Sequence, residues 1–362
     1  MMIRVISIAV TFLLAATGPV WAGEPSPSDT VRAAIRAAQT IPPGGIDELK
    51  TVEINGIPQW ISVRGNDPAN PILLFIHGGP GAPMMPLAWT FQRPWEEYFT
   101  VVQWDQRGAG KTFTAAHLQP DESMTLERMQ ADAEAMIEWL RKTYGKDRIF
   151  VMAHSFGTIL GIRIAQRHPE WLYAYIGVGQ VVNARRNEEV SYEETLALAE
   201  ARSDTTALRE LRALAPYPGS GPVPLDAILQ ERKWVVAYGG MLYGKSDADE
   251  SAIIAASPLY SDDDVKAEEL GELTSAQILL PQSVDVDFGR ITTFTCPVFF
   301  FAGADDRTTP TSLVRDYFAG IHAPRKQLFV IPRAAHFVVT EAPGEVLVDL
   351  VRDVRPLAGS TH

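Results

Sequence analysis

Cysteine is nearly absent: Cys296 is the only one in 362 residues. An internal disulfide framework is thereby excluded, and the chain must rely on its core for stability. Cys296 precedes the apolar run 297–301 and is expected to be a small buried residue rather than a nucleophile. Basic clusters are missing too. Lysine and arginine number 32 against 44 acidic residues, a formal charge of −12, which makes nucleic acid and anionic membrane surfaces poor partners. Long apolar runs are confined to the start of the chain, where residues 5–16 form a stretch too short for a comfortable bilayer span. Internal repeats and low-complexity tracts are absent. The glycine loop at 78–81 lacks the Lys-Ser/Thr ending that phosphate binding needs, and Lys111-Thr112 follows glycines at the wrong spacing.

The composition that remains, 46% apolar and 21% charged, is that of a globular protein with ample material for a core. Residues 1–22 combine Arg4, the apolar run and Val20-Trp21-Ala22. This pattern predicts a secretory signal peptide cleaved after Ala22, hence a secreted or periplasmic protein without stable membrane association after cleavage. A Pro/Ser linker follows, and Asp29 and Thr30 are expected to cap a first helix over 31–39. Residues 50–63, broken by Asn55-Gly56, read as a β-hairpin.

Continuous apolar runs of strand length recur at 71–76, 98–104, 148–152, 173–178, 297–301 and 326–331. Such runs suit a sheet covered on both faces. Helical spacing at 126–144 and 158–165, and a closing helix at 341–354, alternate with them. The expectation is an α/β fold with a mostly parallel, doubly wound sheet. The alternation breaks over 182–287, which is helix-rich and polar and is expected to be an inserted helical cap. The catalytic domain is then 23–181 together with 288–362.

Chemistry concentrates where strands end. Ser155 sits between the strand 148–152 and the helix that follows, with Ala153 and Gly157 two residues to either side. Small residues are needed there for the backbone to double back and hold a serine hydroxyl at a helix N-terminus, where partial positive charge favours an anion. A serine needs a base and an orienting acid. The strand 297–301 leads into Gly303-Ala304-Asp305-Asp306, and the last strand leads into His336. An oxyanion needs two donors: the N–H of Phe156, and one from His77-Gly78-Gly79-Pro80-Gly81, where glycines admit close approach.

His77-Gly78-Gly79-Pro80-Gly81, Asp105-Gln106-Arg107-Gly108-Ala109-Gly110, the Ser155 turn, Gly303-x-x-Asp306-x-x-x-Pro310 and His336 together resemble the prolyl aminopeptidase (proline iminopeptidase) group of α/β-hydrolases. The resemblance spans about 45–180 and 290–355. It implies an α/β-hydrolase fold, a triad of Ser155, Asp306 and His336, and an oxyanion hole of Gly79 and Phe156. The spacing from Gly303 favours Asp306 over Asp305, and Asp105 with Arg107 is expected to brace the turn near the site. Two departures stand out: Phe156 replaces the family's tryptophan, and the stretch 234–240 lacks the acid that meets a substrate amine. Glu188, Glu189, Glu193 and Glu194 could supply one, so Gly78, Glu188 and Glu189 are the candidate substrate contacts. The expectation is a serine hydrolase without metal or organic cofactor, acting on a small N-terminal amino-acid amide or short peptide. A carboxylesterase or lactonase with the same residues is the alternative, and a silent binding protein on the same fold the third reading.

Overall fold

The computed structural model describes residues 27–119 and 123–359. The expected signal peptide at 1–22 lies outside them. Helix α1 (Pro27–Ala38) begins earlier than expected. Pro27 stands at its start and Asp29 lies inside its first turn, where both residue types suit a helix, so Asp29 and Thr30 do not precede it as caps. The hairpin β1 (Ile46–Ile54) and β2 (Ile57–Gly65) follows, then β3 (Ile72–Ile76) and β4 (Thr100–Asp105). Next come α2 (Gly110–Ala115), α3 (Leu126–Thr143), β5 (Ile149–His154), α4 (Gly157–Arg167) and β6 (Leu172–Val178).

Five helices separate β6 from the next strand: α5 (Ala184–Ala201), α6 (Thr205–Ala213), α7 (Leu225–Ala237), α8 (Asp247–Ala255) and α9 (Asp262–Ser283). The chain ends with β7 (Val298–Gly303), α10 (Thr311–Gly320), β8 (Lys326–Ile331), α11 (Val338–Glu341) and α12 (Pro343–Asp349). The closing helix expected at 341–354 is present from Pro343 on, its last part a π-helical turn over Leu350–Val354, and a break at Ala342 separates it from α11. Ala342, at φ −133° and ψ 51°, leaves helical geometry just before Pro343, whose ring disfavours a helical residue ahead of it.

The eight strands form one sheet in the order β1-β2-β4-β3-β5-β6-β7-β8. The β1–β2 and β2–β4 pairs are antiparallel and the rest parallel. Every residue of β3, β4, β5 and β7 is buried, because helices cover both faces. Alternate residues of β3 serve opposite cores: Leu74 and Ile76 pack with α3 and α4, Leu73 and Phe75 with α11 and α12.

The inserted helices have a small core of their own around Tyr192, Leu211 and Trp234. They leave and rejoin the sheet side by side, through a bridge between Asn183 and Asp287. Helix α9 lies against the turns after β3 and β4. Ser275 Oγ donates to Gly108 O (3.0 Å), Lys111 Nζ meets Asp264 Oδ2 (2.7 Å), and Tyr260 OH donates to Asp105 Oδ2 (2.6 Å). Among the described residues, no helix is long and apolar enough to cross a membrane.

Candidate active site

β5 ends at His154 and α4 begins at Gly157, so Ser155 occupies the reversal itself. Its φ is 51°, a left-handed value that costs a residue with a side chain free energy. The turn is fixed by its neighbours: Ser155 N donates to Val178 O (2.9 Å), while Ser155 O accepts from Thr158 N (2.8 Å) and Thr158 Oγ1 (2.6 Å). Ser155 remains partly exposed. Among the described residues its hydroxyl has no hydrogen-bond partner, a common state for a nucleophile before substrate arrives.

The loop after β3 lies directly over this turn. A side-chain carbon on Gly78 would come within 2.7 Å of Ser155 Cβ and 2.8 Å of the His154 carbonyl oxygen, so only glycine fits. His77 holds the loop in place. Its Nε2 accepts from Gln106 N (3.2 Å), so Nδ1 carries the proton and donates to Gly78 O (3.0 Å). Burial pushes His77 down to about 4, which keeps the ring neutral. Among the described residues, neither Gly79 N–H nor Phe156 N–H enters a backbone hydrogen bond, so both donors are available to a ligand.

The acid and the histidine meet beside the serine turn. His336 Nδ1 lies 2.9 Å from Asp306 Oδ2, and both side chains are almost wholly buried. Thr308 N and Thr309 N donate to Asp306 Oδ1 at 2.9 and 3.0 Å, and Thr309 Oγ1 donates to Oδ2 at 2.9 Å. With Nδ1 turned to the acid, Nε2 is the nitrogen left for a reacting group. Gly179 backs the imidazole: a side-chain carbon there would sit 2.9 Å from His336 Cε1. The residue before it, Val178, receives the Ser155 N–H, which puts serine, histidine and acid at one end of the sheet. His154, next to the serine, carries its proton on Nε2 toward His336 O (2.9 Å). Burial, then the nearby His336 ring, lowers His154 to about 3.

Asp305, the neighbour, does not reach His336. It lines a cavity of about 380 Å³ with Arg202, Tyr238 and Arg307. His322 pairs with Thr293 in a bridge elsewhere. A second cavity, about 570 Å³, is lined by Arg36, Leu49, Met85 and Trp89, with no residue from the serine, acid or histidine loops, so volume alone does not locate the chemistry.

Two expectations need correction, those for Glu188 and Glu189, while Asp105 and Arg107 do brace the turns, each through its own partners. Arg107 is braced by Asp132 of α3 rather than by Asp105: its Nε lies 2.7 Å from Asp132 Oδ2, and Gln59 adds a donor at 3.0 Å. Asp105 turns instead to Lys111 N (2.8 Å) and Tyr260 OH, and burial raises it to about 7. Glu188 is not free for a substrate. It accepts from Arg232 and from Tyr217 OH, within a network that also holds the buried Glu231. Glu189 pairs with Arg186 at 2.5 Å on an exposed face. Of that acid group, Glu194 comes nearest the acid loop, 3.9 Å from Arg307.

Sequence reasoning missed Thr309, His154, Gly179 and Glu341. Thr309 could have been found, since a hydroxyl three residues after an acid can turn back onto it. His154 and Gly179 meet His336 only through the fold, and Glu341, though close to Ala335 in sequence, also reaches Tyr243 across 98 residues. Also unforeseen were Glu268 and Glu272, one turn apart on α9. Among the described residues neither has a cationic partner. Desolvation, then Glu272, raises Glu268 to about 8. Desolvation also raises Glu272, at its carboxyl, although the residue as a whole is exposed.

The alpha/beta hydrolase fold family matches the chain over residues 71–343. The chain is 26% identical over 313 residues to the protein named "Probable aminopeptidase YbaC" of Bacillus subtilis (strain 168), covering 85% of this chain and 96% of that one. It is 26% identical over 213 residues to a proline iminopeptidase of Neisseria meningitidis, 58% of this chain and 60% of the other. A solved proline iminopeptidase-related protein of Thermus thermophilus superposes with a TM-score of 0.61 at 20% identity, over 86% of this chain and 99% of that one.

Proposed function

The chain belongs to the alpha/beta hydrolase family and is a hydrolase, and we propose that it is a serine aminopeptidase acting on small N-terminal amino-acid amides or short peptides. The observation that carries the mechanism is the buried Asp306–His336 hydrogen bond of 2.9 Å beside the strained Ser155 turn. In this reading Ser155 Oγ attacks the scissile carbonyl and His336 Nε2 takes its proton. The C–N bond breaks as His336 returns that proton to the leaving amine, and an acyl-enzyme remains. Water repeats the sequence and releases the amino acid. Asp306 holds the imidazole in its reactive tautomer, and the free N–H groups of Gly79 and Phe156 take the developing oxyanion.

The peptidase reading draws on the relatives' names and on the acid pair of α9. An aminopeptidase must hold a charged ammonium, which needs a carboxylate to offset its desolvation. Glu188 and Glu189 are already paired. Glu268 and Glu272 lack a counter-charge, and their helix packs through Gly271 and Ser275 on the Gly81 and Gly108 turns. A bound ammonium supplies the missing positive charge.

The test compares alanyl and prolyl p-nitroanilides with their N-acetylated forms. Turnover of the free amines alone is expected, with a fluorophosphonate probe labelling Ser155. Ser155→Ala should lose the label and on the order of 10³-fold or more in rate. Equal rates on free and acetylated substrates would mean an esterase-like hydrolase. A label that persists in Ser155→Ala would remove the serine from the mechanism.

A further inference from the structure

Glu341 lies outside the acid–histidine pair, yet it ties the histidine loop to the inserted helices. Its Oε2 accepts from Ala335 N and its Oε1 from Tyr243 N, both at 2.6 Å. A backbone bond beside these closes the arrangement, since His336 N donates to Met241 O at 3.1 Å. One carboxylate thus joins residues 335–336 to residues 241–243. The same inserted segment reaches the acid loop, where Arg307 N donates to Gly240 O at 2.9 Å. Lys245 Nζ adds a tie to Thr340 O at 3.3 Å. On the other side the histidine loop is pressed against the end of β7: a side-chain carbon on Gly303 would come within 2.1 Å of Ala335 O. The loop bearing His336 is therefore held between β7 and the segment 240–243, with Glu341 as the connecting group.

We infer that Glu341 is a positioning residue for His336, acting with the inserted segment Gly240–Tyr243 to set the imidazole against Asp306 and Ser155. The reasoning is geometric. A carboxylate offers two acceptors in one rigid plane, so it can satisfy two backbone donors from separate segments at once. Glutamine at the same position keeps one acceptor and turns an NH₂ group toward the other N–H. One donor, on either the histidine loop or the inserted segment, then loses its partner. A base displaced by a fraction of an ångström loses rate without losing substrate affinity. The inference rests on the serine-hydrolase reading, because it requires His336 to be the base.

The experiment uses the full chain and an activated ester, p-nitrophenyl acetate, so that weak residual rates stay measurable. Glu341→Gln is compared with the parent in two backgrounds, unchanged and His336→Ala. In the unchanged background kcat is expected to fall by about 10-fold or more with KM within about twofold. In the His336→Ala background the same substitution should change the residual rate by less than about twofold, because the group it acts through is gone. An equal fold-loss in both backgrounds, or a change confined to KM, overturns the inference. If His336→Ala itself leaves the rate unchanged, the serine-hydrolase reading fails first, and this inference fails with it. Glu341→Ala is the second variant, should the glutamine protein not fold. Formate, a free carboxylate, is expected to restore part of its kcat in the unchanged background and none in the His336→Ala background. Equal restoration in both would again assign Glu341 a purely structural role.

Discussion

Asp306 shows how much one residue's surroundings decide. Its Oδ1 accepts the N–H groups of Thr308 and Thr309, and its Oδ2 accepts Thr309 Oγ1 and faces His336 Nδ1. Asp305 has the same chemistry one position earlier but lines a cavity with Arg307. Asp306→Asn presents an NH₂ group to Nδ1 and forces the wrong histidine tautomer, so kcat should fall by roughly 10³- to 10⁴-fold. Asp305→Asn should stay within about threefold of the parent. Steady-state kinetics on the two purified variants decide the matter, and a reversed order would hand the role to Asp305. That Asp306 rather than Asp305 would meet His336 was legible in the motif Gly303-x-x-Asp306-x-x-x-Pro310 that carries the family resemblance. The fate of Glu188 was not, because its partner Arg232 comes from another helix. Likewise Arg107 meets Asp132, which the separate helix α3 supplies.

At the scale of elements, the strand-to-helix reversal around Ser155 explains why alanine stands at 153 and glycine at 157. Ala153 faces Gly161 of α4, where an added carbon would lie 2.8 Å from Ala153 Cβ and 2.5 Å from the Tyr175 ring. Because Gly161 carries no side chain, the methyl of Ala153 has room. Gly157 has none: a carbon there would meet Ile76 O at 2.4 Å and His77 O at 2.5 Å, both backbone atoms of β3 and its loop. Gly157→Ala should therefore cost about 1–3 kcal/mol, read from the urea midpoint, and should displace the loop that bears Gly79. Ala153→Gly should cost less than about 1 kcal/mol and keep activity. If both proteins unfold at the same urea concentration, the close approach of β3 to α4 is not what selects glycine. The parallel strands were readable as apolar runs because burial on both faces leaves no polar alternation. The antiparallel pairing of β2 with β4 was not, since direction depends on how the chain crosses the sheet. The break before Pro343 was readable in principle, because the residue ahead of a proline leaves the helical region.

Across the whole molecule, the junction between the sheet and the inserted helices carries acids that burial holds protonated near neutrality. Asp105 rises from 3.8 to about 7, and Glu268 from 4.5 to about 8. Between those limits the folded chain keeps protons that the unfolded chain has released, so stability falls as pH rises through the window. Two buried histidines act in the opposite sense. His77 drops from 6.5 to about 4 and His154 from 6.5 to about 3, so there the unfolded chain binds the extra protons. Their effect destabilises the fold at acid pH and is gone once the pH has passed the unfolded value of 6.5. The two trends oppose each other below that point, and above it only the acids remain. The thermal midpoint should accordingly decline between about pH 6.5 and about pH 8 and level off above that. Glu268→Gln removes the contribution that persists to the highest pH, so its midpoint should decline less over the same interval while matching the parent near pH 5. Calorimetry of both proteins across that range is the check. A decline of equal size in both would mean that Glu268 is already ionised at neutral pH, and the acid pair of α9 would then carry two fixed negative charges.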